Sequence, residues 1–155
     1  IEQACNLFRE AKESGLITVL WSYARGGISK KGETAVNIIS YAAHMACLCG
    51  AHIVKVKLPT SYLEDDPTKD AFIKNNIGIN TAVDRVKVVK RSCFNGRRIV
   101  VFSGGEAKND DELLNEVKAI KVGGGNGSIV GRNCFQRPRG KALALLDQMF
   151  SIYKN

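Results

Sequence analysis

Hydrophobic positions along this chain follow two rhythms, one helical and one strand-like, and the rhythms take turns. Ala4, Leu7, Phe8 and Ala11 recur at helical spacing and stop at Gly15, after which Leu16-Ile-Thr-Val-Leu-Trp-Ser-Tyr23 reads as a buried strand. Thr34 is placed to cap a second helix whose stripe runs Ala35, Ile39, Ala42, Ala43 and Ala46 and ends at Gly50. The strand His52-Ile-Val-Lys-Val-Lys57 comes next. Between Leu58 and Arg98 a longer polar insert carries one weak helical stripe, Val83, Val86 and Val89. Arg98-Ile-Val-Val-Phe-Ser103 restores a strand, and Leu113, Leu114, Val117 and Ile120 share a helical face. Gly123 to Gly127 form a turn, Ser128 to Gly131 a short strand, and Ala142 to Tyr153 a closing helix that packs through Leu145, Leu146, Met149 and Phe150.

Strands separated by helices, each apolar enough to be covered on both faces, predict βαβ units and a parallel sheet. No Gly-x-Gly-x-x-Gly follows the first strand, so a dinucleotide-binding fold loses ground to a (β/α)8 TIM barrel. Four units are visible where a barrel has eight, and the chain opens inside a helical stripe without an initiator methionine. The expectation is that residues 1–155 form the C-terminal half of a single barrel, covering about its last four βα units. A self-contained four-stranded α/β domain is the alternative.

Composition narrows the setting. The 155 residues are 45 % hydrophobic, enough for one core, and no apolar stretch reaches the roughly 18 residues of a membrane span. A soluble, cytoplasmic protein without membrane partners is expected. The five cysteines, Cys5, Cys47, Cys49, Cys93 and Cys134, lack a Cys-x-x-Cys pair and read as reduced, mostly buried thiols. A metal site built from Cys47 and Cys49 with His44 or His52 is the weaker reading of the same residues. The net charge of +8 fits either nucleic acid or small phosphorylated substrates. Its spread through Lys30, Lys31, Lys87, Lys90, Arg91, Arg97 and Arg98, without an aromatic ladder or recognition helix, favours the small molecules.

Strand parity points to the chemistry. Ile53, Lys55 and Lys57 share one face, as do Ile17, Val19, Trp21 and Tyr23 on the preceding strand, so Tyr23 and Lys55 are expected to meet near the C-terminal ends. Like charges on one strand face favour loss of a proton, and a neutral lysine attacks carbonyl carbon. Ser103, Gly104 and Gly105 follow one strand, and Gly131 and Arg132 end the next. Glycines let backbone N–H groups approach an anion, and an arginine binds phosphate oxygens through two donors. Those loops sit where barrels keep their phosphate site.

Trp21-Ser-Tyr-Ala-Arg-Gly-Gly27, Ile53-Val-Lys-Val-Lys57, Val101-Phe-Ser-Gly-Gly105 and Ile129-Val-Gly-Arg-Asn-Cys-Phe-Gln-Arg137 together resemble the archaeal-type class I fructose-bisphosphate aldolases, in order and in spacing. The long insert after Leu58-Pro-Thr60 looks like the bacterial branch. The resemblance implies a lyase that cleaves fructose 1,6-bisphosphate reversibly to dihydroxyacetone phosphate and glyceraldehyde 3-phosphate, in glycolysis and gluconeogenesis, as a homo-oligomer and without metal or cofactor. It implies Lys55 as the Schiff-base residue, Tyr23 as acid and base, Trp21 in the same site, and Lys57 as the second lysine of that strand. Ser103, Gly104, Gly105, Gly131 and Arg132 correspond to the phosphate loops. His52 stands where the family often has aspartate, Ala24 where many relatives have proline, and an acidic residue that relatives carry on the first strand of the barrel has no counterpart here. The alternatives are another Schiff-base or transaldolase-like enzyme acting on a different sugar phosphate, and a phosphate- or nucleic-acid-binding module without catalysis.

Overall fold

A computed structural model describes residues 1–154. The chain runs α1 (Glu2–Glu13), β1 (Val19–Trp21), α2 (Val36–Leu48), β2 (Ile53–Lys57), α3 (Asp66–Lys74), α4 (Ala82–Ser92), β3 (Ile99–Ser103), α5 (Asp110–Val122), β4 (Gly127–Ile129), α6 (Arg132–Phe135) and α7 (Arg139–Lys154). All pairings are parallel and the spatial order is β1-β2-β3-β4, so each strand lies beside its neighbour in sequence. The alternation of periods foretold this arrangement.

Parity divides the sheet into two unlike faces. Val54, Val56, Val100 and Phe102 are fully buried beneath Ile39, Ala43 and Ala46 of α2, Val86 and Val89 of α4, and Ile120 of α5. A smaller cluster joins Leu113 and Val117 of α5 to Leu145 and Met149 of α7. On the opposite, concave face Val19, Trp21, Ile99 and Ile129 are 43–63 % exposed. Lys55 lies on that same face, yet only 7 % of it is exposed.

Several boundaries differ from the sequence reading, each for a reason that lies elsewhere in the chain. The strand expected over residues 16–23 pairs only from Val19 to Trp21. At its start the Thr18 N–H donates to His52 Nδ1 (3.1 Å), and the Thr18 carbonyl accepts from the N–H groups of both His52 and Ile53. His52 thus ties the start of β1 to the start of β2. At the far end the Ser22 hydroxyl donates to the Ala42 carbonyl (2.7 Å), and Tyr23 leaves the ladder. Thr34 does not cap α2: residues 32–34 form one 3-10 turn, and Ala35 takes the N-cap position without a side-chain cap. The loop after β2 substitutes, since Val36 N–H donates to the Tyr62 carbonyl (3.0 Å) and Thr60 N–H to the Thr34 carbonyl (2.8 Å). The closing helix begins at Arg139, earlier than the Ala142 expected.

The polar insert holds two helices. Asp65 caps α3 by accepting the Thr68 N–H (2.9 Å), and Pro67 sits in its first turn, where a missing N–H costs nothing. Thr81 caps α4 by accepting the Asp84 N–H (3.1 Å), and the weak valine stripe becomes the buried face of that helix. Thr81→Ala is expected to lower unfolding stability by about 1 kcal/mol, read as a shift of the urea midpoint at unchanged slope. Gly123 closes α5 so tightly against α4 that a Cβ there would lie 2.6 Å from Val86 Cβ.

The five cysteines are free thiols, with Cys47, Cys49 and Cys93 buried and Cys5 and Cys134 half-buried. His44 donates from Nδ1 to the Ser92 carbonyl (2.8 Å), and no group of three or more metal-ligating side chains exists among the described residues. Among the same residues no helix is long and apolar enough to cross a membrane.

Candidate active site

The register of the sheet decides which candidate residues meet. Trp21 is the Cα partner of Lys55, and Lys55 in turn pairs with Val101. Lys55 Nζ stands 3.8 Å from the centroid of the Trp21 ring, a cation–π distance, and makes no hydrogen bond among the described residues. Trp21 rather than Tyr23 is thus the aromatic neighbour of Lys55. Tyr23, half-buried and two residues further on, belongs to the level of Lys57.

That upper level is a cavity of about 850 Å³ at the C-terminal ends of the strands. Tyr23, Lys57, Ser103, Gly104, Gly105 and Arg132 line it together, whereas Lys55, Trp21 and Gly131 lie outside its lining. Lys57 and Ser103 are partners in the β2–β3 register, which is why strand ends far apart in sequence converge here. Six of the lining residues are basic, Arg25, Lys30, Lys57, Arg85, Lys108 and Arg132, against three acidic ones, Glu33, Glu106 and Glu116. The excess suits a multiply charged anion.

The loops after β3 and β4 are tied into one piece. Arg132 Nη2 donates to the Gly105 carbonyl (3.3 Å), and Gly105 adopts the left-handed φ of +66° that a side chain resists. Gly131 serves as the N-cap residue of α6. Asn133, 3 % exposed, donates from Nδ2 to the carbonyls of Gly104 (3.2 Å) and Glu106 (2.8 Å), and its Oδ1 accepts the Lys108 N–H (2.8 Å). Sequence reasoning passed over Asn133, although it stands beside Arg132 in a quoted motif. A lone asparagine after a short strand reads as an ordinary turn residue.

Glu33 was also missed. Its carboxylate accepts from Lys57 Nζ at 2.8 Å, and it pairs with Lys30 at 3.3 Å and with Arg25. The hydrogen bond from Lys57, with help from Lys30 and Arg25, holds the Glu33 carboxyl below the usual carboxylate range. The positive field that Lys57 was expected to turn on Lys55 is therefore offset by a carboxylate 24 positions earlier in the chain, a separation that carries no local pattern.

Sequentially ordered parallel strands, helices on one side only, and a basic cavity beyond the strand C-termini define the class as a (β/α)8 TIM barrel, here its last four βα units. The chain belongs to the DeoC/LacD family of aldolases, whose model matches residues 1–137. It is 36 % identical over 149 residues to the class 1 fructose-bisphosphate aldolase of Halobacterium salinarum, covering 94 % of this chain and 47 % of that protein. It is 29 % identical over 152 residues to the fructose-bisphosphate aldolase/6-deoxy-5-ketofructose 1-phosphate synthase of Methanocaldococcus jannaschii, covering 97 % of this chain and 42 % of that one. A solved archaeal fructose-1,6-bisphosphate aldolase, whose catalytic lysine is covalently bound to the carbinolamine intermediate of its substrate, superposes with a TM-score of 0.73 at 26 % identity. That match covers 99 % of this chain and 51 % of the solved one. The chain spans about half the length of the relatives it matches.

Proposed function

We propose that residues 1–155 are the C-terminal half of a single aldolase barrel, and that the intact protein is a class I lyase. It cleaves fructose 1,6-bisphosphate reversibly to dihydroxyacetone phosphate and glyceraldehyde 3-phosphate, a step of glycolysis and gluconeogenesis. The observation that carries this reading is Lys55 itself: a lysine 7 % exposed on the concave face, free of carboxylate partners and directly below a basic cavity. Such an amine has no evident structural purpose. A lysine largely withdrawn from solvent, with its amine set over an aromatic ring and not on a carboxylate, is a candidate for a functional role.

The chemistry follows from the arrangement. Lys55 Nζ adds to the C2 carbonyl of the open-chain ketose, and loss of water leaves an iminium that draws electrons from the C3–C4 bond. Tyr23 accepts the proton of the C4 hydroxyl as that bond breaks and returns a proton to the enamine carbon. Hydrolysis then releases the second product and restores the amine. Trp21 packs against the amine side chain, while Ser103, Gly104, Gly105, Gly131, Arg132 and Lys57 hold phosphate.

The relative from M. jannaschii, whose name joins two sugar-phosphate activities, supports a second reading in which this site accepts a different ketose phosphate. Borohydride reduction of the intact protein with fructose 1,6-bisphosphate should add one substrate to Lys55, and kcat/KM should fall when fructose 1-phosphate replaces the bisphosphate. An active protein whose Lys55 stays unmodified would reject the mechanism. Equal kcat/KM for the two ketoses would reject the bisphosphate preference.

A further inference from the structure

The cations that line the cavity differ in what neutralises them. Glu33 pairs with Arg25, Lys30 and Lys57, and Glu116 pairs with Lys108. Arg132 and Arg85 have no carboxylate partner among the described residues, so the free positive charge of the cavity rests on these two. Arg132 already belongs to the proposed phosphate loops, and Arg85 does not. We propose that Arg85 is a specificity-determining residue: it takes the phosphate at the far end of the ketose from the reacting carbonyl, while the loops after β3 and β4 take the near one. The assignment rests on the sugar-phosphate aldolase reading above and deepens it.

Arg85 is oriented without being cancelled. Its Nε donates to the Pro59 carbonyl (2.8 Å), and its Nη1 donates to the carbonyls of Ile79 (3.0 Å) and Asn80 (2.9 Å). Carbonyls fix the guanidinium plane but bring no net charge. Asp84, its neighbour in sequence, spends its carboxylate on the Thr81 N–H (3.2 Å) and hydroxyl (2.6 Å). Nη2 makes no hydrogen bond among the described residues, so its donors remain for a ligand. A half-buried guanidinium already held in place loses little freedom on binding an anion.

The height of Arg85 above the amine decides which phosphate it meets. Ser103 is the register partner of Lys57, two residues beyond Lys55 on β2, and Pro59 lies two residues further on. The phosphate next to the carbonyl that Lys55 attacks is on a short link and reaches the level of Ser103. The phosphate at the other end of the chain reaches the level of Pro59, where Arg85 is fixed. Across the sheet, Arg132 follows β4 and Arg85 is tied to the loop after β2, with β3 between them. Those strand ends are about 10 Å apart, and an extended open-chain ketose with a phosphate at each end is as long as about three extended residues, which is the same distance.

The test compares fructose 1,6-bisphosphate with fructose 1-phosphate, which lacks the far phosphate, on the intact enzyme with and without Arg85→Gln. The ratio of kcat/KM for the bisphosphate to that for the monophosphate should fall at least about tenfold, the loss expected when a hydrogen bond between charged groups is removed. Arg85→Lys, which keeps the charge, should restore part of the ratio. A residue that only staples the two loops would lower both values together and leave the ratio where it was. Should Arg85→Gln fail to fold, labelling of the unaltered enzyme with an arginine-selective dicarbonyl, followed by peptide mapping, decides the point: saturating bisphosphate should slow the labelling of Arg85 at least about tenfold more than saturating fructose 1-phosphate does. An unchanged ratio in a folded Arg85→Gln enzyme, or equal protection of Arg85 by the two ketoses, overturns the role of Arg85. Borohydride reduction that leaves Lys55 unmodified while the ratio still follows Arg85 overturns the Schiff-base reading instead.

Discussion

Lys55→Met in the intact enzyme is expected to lower turnover by at least about 10⁴-fold, the scale on which covalent catalysts lose rate when the nucleophile is removed. The substitution is a clean one for this site. Methionine has nearly the length and flexibility of lysine, so the Trp21 ring keeps a neighbour and the concave face keeps its shape. Because Lys55 Nζ has no hydrogen-bond partner among the described residues, removing it strands no acceptor. Thermal stability should therefore hold or rise. Ligand affinity, measured by calorimetry with a non-cleavable bisphosphate, should stay within about threefold, because the groups proposed to hold phosphate are on other residues. Retained turnover would sink the Schiff-base mechanism, and lost affinity would show that Lys55 binds rather than reacts.

The parts of this molecule that were legible in the sequence are those whose cause is local. β2 and β3 announce themselves because Val54, Val56, Val100 and Phe102 must be buried, and period-two spacing then fixes which residues share the other face. The same spacing puts Lys55 on the concave side. The start of α2 was not legible, because its first N–H is satisfied by the Tyr62 carbonyl from a loop that comes later in the chain. A side-chain cap at Thr34 is the natural local guess, and tertiary hydrogen bonds overrode it. Likewise, the partner of Lys55 was set by register: the ladder begins one residue after Thr18, because Thr18 is occupied with His52, and this puts Trp21 opposite the lysine and carries Tyr23 beyond the last pair. Glu33 and Asn133 were invisible for a similar reason. The contact of Glu33 with Lys57 and that of Asn133 with Lys108 each span at least 24 positions and join groups that only the fold brings together.

Asn133→Asp is expected to raise KM for fructose 1,6-bisphosphate by about 10- to 100-fold with a smaller change in kcat, because leaving buried polar groups unpaired costs about 1–3 kcal/mol. The side chain has the same shape, so packing is not what changes. Asn133 uses both of its N–H donors on the carbonyls of Gly104 and Glu106, and an aspartate has none to give. Its second carboxylate oxygen would instead face those carbonyl oxygens in a site that is 3 % exposed. The loop after β3 must then move, taking with it the Gly104 and Gly105 backbone proposed to hold phosphate. Arg137 limits how far the damage spreads, since its Nη2 donates to the Lys108 carbonyl (3.2 Å) and its Nη1 pairs with Asp110, so the outer part of the loop keeps an anchor. Steady-state kinetics against bisphosphate concentration, with a melting curve of the same sample, separates the two possible roles. A raised KM in a protein still folded at the assay temperature marks Asn133 as the residue that sets the phosphate loop, whereas a lowered melting point with unchanged KM would make it a structural clamp and nothing more.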